Sequence, residues 1–313
     1  MRERAAVWIG GAAVMAVLVL LCAVGWGEEP GGLSDWQALV LGLVQGATEL
    51  LPISSSGHLI LVPWLGGWTY LEEHDEFNQT FDVALHLGTL VAVVAYFRHE
   101  VVAYVVAWFR TLRTRRIETA DERIAWFVFV ATIPAALAGG LGESFIADRL
   151  GEPWQIAILL AVFAGLLWLA DRRPQERRIE DLGLGTAVAV GFAQALALAP
   201  GVSRSGITIT AGRFLRLDRD SAARFSFLLL IPTVFGAVLY KGVTDVLLGD
   251  LPGGWTGPFL IGTVAAAVSG LAAIWALLGY VRRHDYTIFV VYRLIAAAIV
   301  LLLIASGARE AGF

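Results

Sequence analysis

The sequence predicts an all-α protein that crosses a membrane several times, and three observations support this. Of its 313 residues, 58% are apolar and only 16% are charged, whereas an ordinary soluble domain has roughly 25% charged residues. Six continuous apolar runs are long enough to cross a bilayer. Two further apolar runs are each interrupted at the centre by proline, serine and glycine. The net charge of −4 does not indicate nucleic acid as a partner.

The uninterrupted runs predict six transmembrane helices, because about 17 to 25 apolar residues cross the hydrocarbon core. They cover residues 81–98, 124–142, 154–171, 221–240, 257–280 and 286–307. Another apolar run, residues 5–26, follows a basic start and is either a signal peptide or an extra transmembrane helix. We expect a helix, because the run is long and lacks a clear small-residue cleavage site. The chain then consists of an N-terminal helix over residues 1–30 and one membrane-embedded domain over residues 31–313.

The two interrupted runs, residues 36–65 and 184–215, predict two re-entrant pairs of half-helices. Irregular backbone at membrane depth is tolerated only where protein or a water-filled cavity satisfies its N–H and C=O groups. Each break is therefore expected to line a polar site.

The arginine clusters predict an orientation. They lie at residues 98–123, 172–178, 213–224 and 282–283. Threading the six spans and the two re-entrant pairs through a bilayer puts all four clusters on one side, which the positive-inside rule makes cytoplasmic. The first pair then enters from outside and the second from inside. This is an inverted topology of two halves, residues 36–171 and 184–307.

A short internal repeat matches this layout. Gly42, Gln45 and the serine segment 54–57 correspond, at one constant separation, to Gly191, Gln194 and residues 203–206. Inverted repeats of this kind place ligand sites at their interface, near the bilayer midplane. We therefore expect the two breaks to meet.

The first break combines a carboxylate, hydroxyl groups and a histidine, in the order Gln45, Glu49, Pro52, Ser54, Ser55, Ser56, Gly57, His58. Gln45 and Glu49 are four residues apart, so both project from one helical face toward the break. A carboxylate at this depth is costly unless it is paired or metal-bound, although a structural hydrogen-bond role remains an alternative for Glu49. Serine hydroxyls and the amides of a helix N-terminus suit a phosphate. His58 can transfer protons or attack phosphorus, and a packed histidine is the simpler alternative.

The second break is Pro200-Gly-Val-Ser203-Arg204-Ser205-Gly-Ile-Thr208. The Arg204 guanidinium stays charged and matches phosphate oxygens with a bidentate fork. A purely structural pair with Glu49 is the alternative. Together the two breaks supply groups that suit pyrophosphate hydrolysis, because phosphoryl transfer depends on positioning and charge neutralisation and Mg²⁺ binds through one or two carboxylates plus substrate phosphates.

At these residues the sequence closely resembles the undecaprenyl-pyrophosphate phosphatase family, also called the bacitracin-resistance family. Both signatures of that family are present: Gln45-x-x-x-Glu49 running through Pro52 to His58, and Pro200-Gly-x-Ser203-Arg204-Ser205-Gly-x-Thr208. The resemblance covers roughly residues 36–307.

The resemblance implies a metal-dependent phosphatase, using Mg²⁺ or Ca²⁺, that removes the terminal phosphate of a C55-type polyprenyl pyrophosphate. This reaction recycles the carrier lipid for cell-envelope polysaccharides, and over-production confers bacitracin resistance. The implied location is the plasma membrane, with the active site opening toward the outer face. The implied partners are the lipid substrate and the bilayer, with a homodimer as a further expectation.

The resemblance also implies roles for individual residues. Glu49 is expected to be the metal-binding and catalytic carboxylate, His58 a nucleophile or proton-transfer group, and Arg204 the phosphate clamp. Phosphate binding is assigned to Ser54, Ser55, Ser56, Ser203, Ser205 and Thr208, with a serine nucleophile such as Ser55 as a rival idea. Gln45, the second expected metal ligand, stands where many members have glutamate; its carbonyl can ligate a metal, but glutamine cannot act as a base. Asp82, one helical turn before His86, is a candidate to support the metal.

Two other functions share some of these features. A lipid phosphatase of the phosphatidic-acid type would have a histidine and an aspartate where this chain has Thr210 and Phe214, so its spacing does not fit. A polyprenyl-phosphate transporter or flippase without hydrolysis is the other alternative, because inverted repeats with broken helices are common among transporters. Dependence of phosphate release on Glu49 and Arg204 would separate the enzyme from the transporter.

Overall fold

The computed structural model of the protein describes residues 32–68, 74–247 and 255–311. The predicted N-terminal helix at residues 5–26 lies outside these residues. In chain order the α-helices are α1 (Asp35–Leu50), α2 (Ser55–Gly66), α3 (Asp75–Tyr96), α4 (Arg98–Thr114), α5 (Ala120–Arg149), α6 (Pro153–Asp171), α7 (Leu184–Ala195), α8 (Arg204–Phe214), α9 (Arg219–Lys241), α10 (Thr256–Val281) and α11 (Thr287–Ala305). The described part of the chain contains no β-strand longer than an isolated bridge between Arg177 and Leu217.

Six helices are long and apolar enough to cross a membrane: Phe77–Tyr96, Ala120–Gly142, Pro153–Asp171, Arg219–Thr244, Thr256–Val281 and Thr287–Ala305. Each of them overlaps one of the six predicted spans, so the all-α, multi-pass membrane architecture is confirmed. The predicted ranges were accurate because lipid forces a membrane-spanning segment to be continuously apolar and to satisfy its backbone hydrogen bonds internally.

Helix α4 was not predicted, because its residues fall in the first arginine cluster. Its charged ends leave only a short apolar centre, and no span-length window is available. The helix packs on α5 through an ion pair between Arg110 Nε and Glu122 Oε1 at 2.7 Å and through the rings of Trp108 and Trp126, whose centroids are 5.8 Å apart.

The four arginine clusters meet at one end of the helical bundle. Arg224 lies 3.7 Å from Glu100, and Arg282 lies 2.8 Å from Asp220. These contacts join the clusters that begin at residues 98, 213 and 282. The fourth cluster is joined through Asp171, which immediately precedes it. This confirms that the clusters share one end; that this end is cytoplasmic stays a prediction.

Asp171 organises this end of the bundle. Its buried carboxylate accepts from Arg213 Nε at 3.3 Å, from Arg219 Nε at 2.7 Å and from the backbone N–H of Tyr286 at 2.9 Å. Arg213 has no exposed surface, and it also donates to the carbonyl oxygens of Leu217 and Arg173. The positive charge of Arg213 is therefore compensated by an adjacent carboxylate.

The interrupted runs are broken helices with matching turns. Helix α1 ends at Leu50 and α2 begins at Ser55, while α7 ends at Ala195 and α8 begins at Arg204. The residues before α2 and α8, Ser54 and Ser203, both have positive φ angles, of 80° and 75°. Such backbone costs about 1–3 kcal/mol for a residue other than glycine. Each serine side chain caps its helix by accepting from the amide three residues on, Gly57 or Gly206. The two turns therefore share one strained geometry.

Close glycine contacts fix where the broken helices pack. A Cβ atom at Gly42 of α1 would lie 2.3 Å from the carbonyl oxygen of Gly262 on α10. A Cβ atom at the corresponding Gly191 of α7 would lie 2.6 Å from the carbonyl oxygen of Ala131 on α5. Small residues let membrane helices approach this closely. The first broken helix thus packs on a span of the second half of the chain, and the second on a span of the first half.

Candidate active site

The two breaks meet, as the sequence predicted. Ser54 Oγ accepts a hydrogen bond from the backbone N–H of Gly201 at 3.1 Å. Ser205 Oγ donates to the carbonyl oxygen of Leu51 at 3.0 Å. Each turn is therefore tied to the other by a bond between a serine side chain and backbone.

Arg293 of α11 binds backbone carbonyl oxygens of both turns. It is fully buried, and its guanidinium donates to the carbonyl oxygens of Leu160 (3.1 Å), Pro52 (3.4 Å), Gly201 (2.9 Å) and Val202 (3.1 Å). Sequence reasoning missed this residue. A charged side chain inside the last apolar run was the signal that could have found it, because ionisable residues at membrane depth are rare and usually functional.

Glu49 lies at the centre of the site, with only 5% of its surface exposed. Its Oε1 accepts from Arg204 Nη2 at 2.8 Å and from Arg204 Nε at 3.2 Å. Its Oε2 accepts hydrogen bonds from Ser55 Oγ and, at 3.3 Å, from Gln45 Nε2. One carboxylate thus joins a hydroxyl of the first turn to the guanidinium of the second.

Arg204 is held in place but retains donors. Besides Glu49, it donates through Nη1 to the carbonyl oxygen of Ser226 at 2.8 Å. Arginine has five N–H donors, so these three bonds leave two of them for a ligand. The structural pairing with Glu49 and the predicted phosphate contact are therefore compatible. Ser226, a second residue that sequence reasoning missed, also hydrogen-bonds Thr208 Oγ1 at 2.7 Å.

His86 of α3 is a further polar neighbour of Glu49, although the sequence favoured Asp82 as the residue that supports the metal. Nδ1 of His86 lies 2.7 Å from the carbonyl oxygen of Asp82, so Nδ1 is the donor in that bond. Nε2 of His86 lies 3.5 Å from Glu49 Oε2. Asp82 thus serves to orient the histidine through its backbone. A polar residue in an apolar span was the available signal for His86.

Most of the hydroxyl groups predicted to bind phosphate are engaged within the protein. Ser54 and Ser203 cap helices, Ser205 binds Leu51, and Thr208 donates to the carbonyl oxygen of Arg204 at 2.7 Å. Ser56 is partly buried at the start of α2. The first amides of α2 and α8 have no acceptor within their own helices, so they are the donors that these turns offer to an anion.

His58 lies behind the first turn. Its Nδ1 is 2.7 Å from the carbonyl oxygen of Ser54, and its Nε2 is 2.7 Å from the hydroxyl of Tyr292. The ring is buried and stacks on Tyr292. Attack on phosphorus by either ring nitrogen would require the bond at that nitrogen to break, so this geometry favours the packed histidine over the nucleophile.

The residues around Glu49 fit a divalent cation of the Mg²⁺ type. Gln45 Oε1 is buried and has no hydrogen-bond partner, although buried polar atoms are nearly always satisfied. It belongs to the side chain whose amide nitrogen contacts Glu49. Among the described residues no group of three or more His, Cys, Asp and Glu side chains is placed to hold a metal. The two predicted ligands, the Glu49 carboxylate and the Gln45 amide oxygen, suit an ion that completes its shell with phosphate oxygens and water.

Comparison with known proteins gives one consistent result. The family model described as bacitracin resistance protein BacA matches residues 38–299. An undecaprenyl-diphosphatase of Desulforudis audaxviator is 43% identical over 274 residues, covering 87% of this chain and 98% of that protein. Undecaprenyl-diphosphatases of Thermomicrobium roseum and Geobacter sulfurreducens are each 46% identical, covering 88% and 84% of this chain and 99% and 96% of those proteins. Since the matched range includes both helix breaks and Arg293, the chain belongs to the bacitracin resistance protein BacA family.

Proposed function

We propose that this protein is an undecaprenyl-diphosphatase: it hydrolyses a polyprenyl pyrophosphate to the lipid monophosphate and inorganic phosphate. One observation carries the proposal. A buried carboxylate, Glu49, contacts both a hydroxyl of the first turn, Ser55 Oγ, and an arginine of the second turn with two remaining donors, Arg204. The names of the relatives support the same reaction. Release of the monophosphate would recycle a carrier lipid for cell-envelope synthesis.

The seat for the terminal phosphate lies between the two turns. Arg204 offers its two remaining N–H donors from the second turn, and the first amides of α2 and α8 offer backbone donors. Helix N-termini favour anions through their unpaired N–H groups and the helix dipole. With two such termini and one guanidinium, the seat suits the charge of a phosphate and leaves the apolar polyprenyl chain to the surrounding lipid.

Ser55 is the proposed nucleophile. Its Oγ–H donates to Glu49 Oε2, so the carboxylate is placed to take the proton as Oγ attacks phosphorus. The Oγ–P bond forms while the bond from the terminal phosphorus to the bridging oxygen breaks, and the lipid leaves as its monophosphate. The proton held by Glu49 passes to the departing lipid monophosphate, which restores the carboxylate. Water then attacks the phosphorus of the phosphoserine while Glu49 takes a proton from it, the Oγ–P bond breaks to release inorganic phosphate, and Glu49 returns the proton to Oγ. Direct attack by water, with Ser55 only orienting it, is the competing route that the experiment below distinguishes.

The metal requirement is part of the proposal. Gln45 Oε1 and the Glu49 carboxylate would hold Mg²⁺ or Ca²⁺, and the ion would supply neutralisation of the pyrophosphate charge. The protein's own contribution is independent of that ion: Arg204 orients the Glu49 carboxylate through Oε1, and Ser55 donates a hydrogen bond to Oε2.

The finer topology also belongs to the proposal. We propose that the broken helices are re-entrant, that the two halves form an inverted repeat, and that the site opens to the outer face. Two observations support the repeat: the turns at Ser54 and Ser203 have matching positive φ angles, and Gly42 and Gly191 each pack on a helix of the opposite half. The shared arginine-rich end supports the orientation through the positive-inside rule. The predicted homodimer stays a prediction.

The test is phosphate release from C55 polyprenyl pyrophosphate by the purified protein in detergent, with Mg²⁺, Ca²⁺ or EDTA. We expect release that EDTA abolishes and that Arg204→Ala reduces by roughly 10³-fold. Ser55→Ala should abolish a covalent route, and acid quench of the wild type should trap a phosphoserine. Activity within tenfold of wild type in Ser55→Ala would favour direct attack by water. No release by the folded wild type would overturn the proposed function.

A further inference from the structure

Arg293 is a buried charge without a counter-charge. All four of its hydrogen bonds go to backbone carbonyl oxygens, and among the described residues no carboxylate lies within ion-pair distance of it. An arginine inside a membrane-spanning helix is costly, and carbonyl dipoles only partly offset that cost. The fold therefore keeps one uncompensated positive charge beside the two turns.

The position of Arg293 makes this charge unfavourable for the free protein. A Cβ atom at Gly206, in the first turn of α8, would lie 2.8 Å from Arg293 Nη1. The N-terminus of a helix carries a partial positive charge, so a cation placed there is repelled and an anion is attracted. Glu49, which Arg204 and Ser55 already engage, does not contact Arg293. A bound anion is the group that would balance Arg293.

The bonds of Arg293 also set the direction of the neighbouring amides. Val202 O accepts from the guanidinium, and the peptide that follows is trans, since the described chain has no cis peptide. In a trans peptide C=O and N–H point in opposite directions, so the N–H of Ser203 points away from Arg293. Pinning the carbonyl therefore fixes an amide at the entrance to α8, where the predicted phosphate seat lies.

We propose that Arg293 is a positioning residue of the phosphate seat, which holds the two serine turns in register and supplies the positive charge that attracts the anion. The identification of the anion as a substrate pyrophosphate rests on the proposed function. The role itself requires only that a phosphate anion binds between the turns. Arg293 touches neither the reacting hydroxyl nor Glu49, so it acts through the backbone and through its charge.

Arg213 provides a matched control within the same protein. Like Arg293 it has no exposed surface and donates to backbone carbonyl oxygens. Unlike Arg293 it is paired with a carboxylate, Asp171, and it lies at the last turn of α8, away from the breaks. If burial of an arginine mattered only for stability, the two substitutions would have the same effect on anion binding.

The experiment measures binding of inorganic pyrophosphate to the full-length protein in detergent, by calorimetry, together with the melting temperature. We expect Arg293→Met to weaken binding by roughly tenfold or more, because it removes a charge in a poorly screened interior. Arg213→Met should lower the melting temperature and leave binding within about twofold of wild type. Pyrophosphate should raise the melting temperature of the wild type and of Arg213→Met more than that of Arg293→Met. Arg219→Gln, which removes another partner of Asp171, replaces Arg213→Met if the latter does not fold.

Arg293→Lys keeps the test decisive if Arg293→Met does not fold. Lysine retains the charge but lacks the planar fork, so the turns lose part of their anchoring and binding should weaken by roughly threefold or more. If Arg293→Met folds, binding within twofold of wild type would overturn the proposal. If only Arg293→Lys folds, the same result for that variant would overturn it. Because the experiment measures binding, its result does not depend on whether the protein hydrolyses the lipid. A wild type that binds pyrophosphate through Arg293 but releases no phosphate from the lipid would refute only the proposed function.

Discussion

Replacing Glu49 by glutamine removes one negative charge from the centre of the site while almost preserving the shape of the side chain. The amide keeps one oxygen that can accept from Arg204, but it can neither balance the guanidinium nor take a proton from Ser55. The substitution therefore tests the carboxylate itself and not the packing around it.

Two effects of this change can be given a magnitude: the loss of stability and the fall in the rate of phosphate release. Glu49 and the Arg204 side chain are only 5% and 12% exposed, and removing one partner of a buried ion pair costs about 3–5 kcal/mol. Because glutamine keeps an acceptor, we expect the lower end, about 3 kcal/mol, in the ligand-free protein. Loss of a general base reduces a rate by roughly 10²–10⁴-fold. We therefore expect phosphate release to fall by roughly 10³-fold, or about 4 kcal/mol of transition-state stabilisation.

The assay compares phosphate release per mole of folded protein with the melting temperature of each variant. Glu122→Gln is the matched control, because Glu122 is equally buried and also binds an arginine, Arg110, at 2.7 Å. Glu122 accepts two backbone N–H groups at the start of α5 as well, so its loss should lower stability without affecting catalysis. A Glu49→Gln variant that keeps more than about a tenth of the wild-type rate, well above the rate expected for loss of a base, would refute the assignment of the carboxylate as the base.

The remaining predictions concern packing, the histidine and the metal. Gly42→Ala should lower the melting temperature clearly, because its Cβ would lie 2.3 Å from a backbone oxygen, whereas Gly165→Ala, which meets nothing within 4 Å, should not; equal shifts would contradict the close packing of α1. Tyr292→Phe should cost about 1 kcal/mol of stability, because it removes the hydrogen bond to His58, and should change the rate of phosphate release by less than tenfold. A loss of roughly 10³-fold in that rate would instead implicate His58 in catalysis. Gln45→Ala should raise the Mg²⁺ concentration needed for half-maximal activity with little change in melting temperature, and an unchanged metal requirement would remove Gln45 from the site.

Hydropathy predicted the six spans well, because the bilayer imposes one strong requirement on every spanning segment. The two breaks were also predictable, since proline and serine inside an apolar run have few explanations at membrane depth. The sequence offered the pairing of Glu49 with Arg204 only as an alternative to phosphate binding, and the structure shows this pair. By contrast, α4 could not be recognised from span length, because its charged ends leave only a short apolar centre.

The sequence was less informative about which serine hydroxyl groups cap a helix and which face the site. A serine beside a helix start can face a ligand or turn back to cap the helix, and the pattern of residues is the same in both cases. The structure shows that Ser54 and Ser203 turn inward and that Ser55 faces the carboxylate. Only the backbone, through the positive φ of the two capping residues, determines which of the neighbouring serines is exposed to the site.

In the proposed inverted repeat, two turns of matching geometry carry different chemical groups. The residues that build the turns are the same in both halves: Ser54 corresponds to Ser203, and Gly57 to Gly206. The residues that we propose to carry the chemistry differ, since Ser55 corresponds to Arg204, and Glu49 to Leu198. The proposed nucleophile and the proposed clamp therefore stand at equivalent places in the two turns, one on each side of the seat.

This arrangement accounts for the single carboxylate. A glutamate at both equivalent positions would place two negative charges beside a pyrophosphate, whereas leucine at the second position leaves Glu49 to serve both partners. Exchanging the two equivalent residues, Ser55→Arg with Arg204→Ser, would keep the composition of the seat but move the guanidinium onto the other turn. We expect this double variant to be inactive even if it folds, because Glu49 projects from α1 toward its own turn and the hydroxyl would no longer lie on its Oε2. Measurable release of phosphate by the exchanged protein would show that the distance between the groups, and not their assignment to particular turns, determines activity.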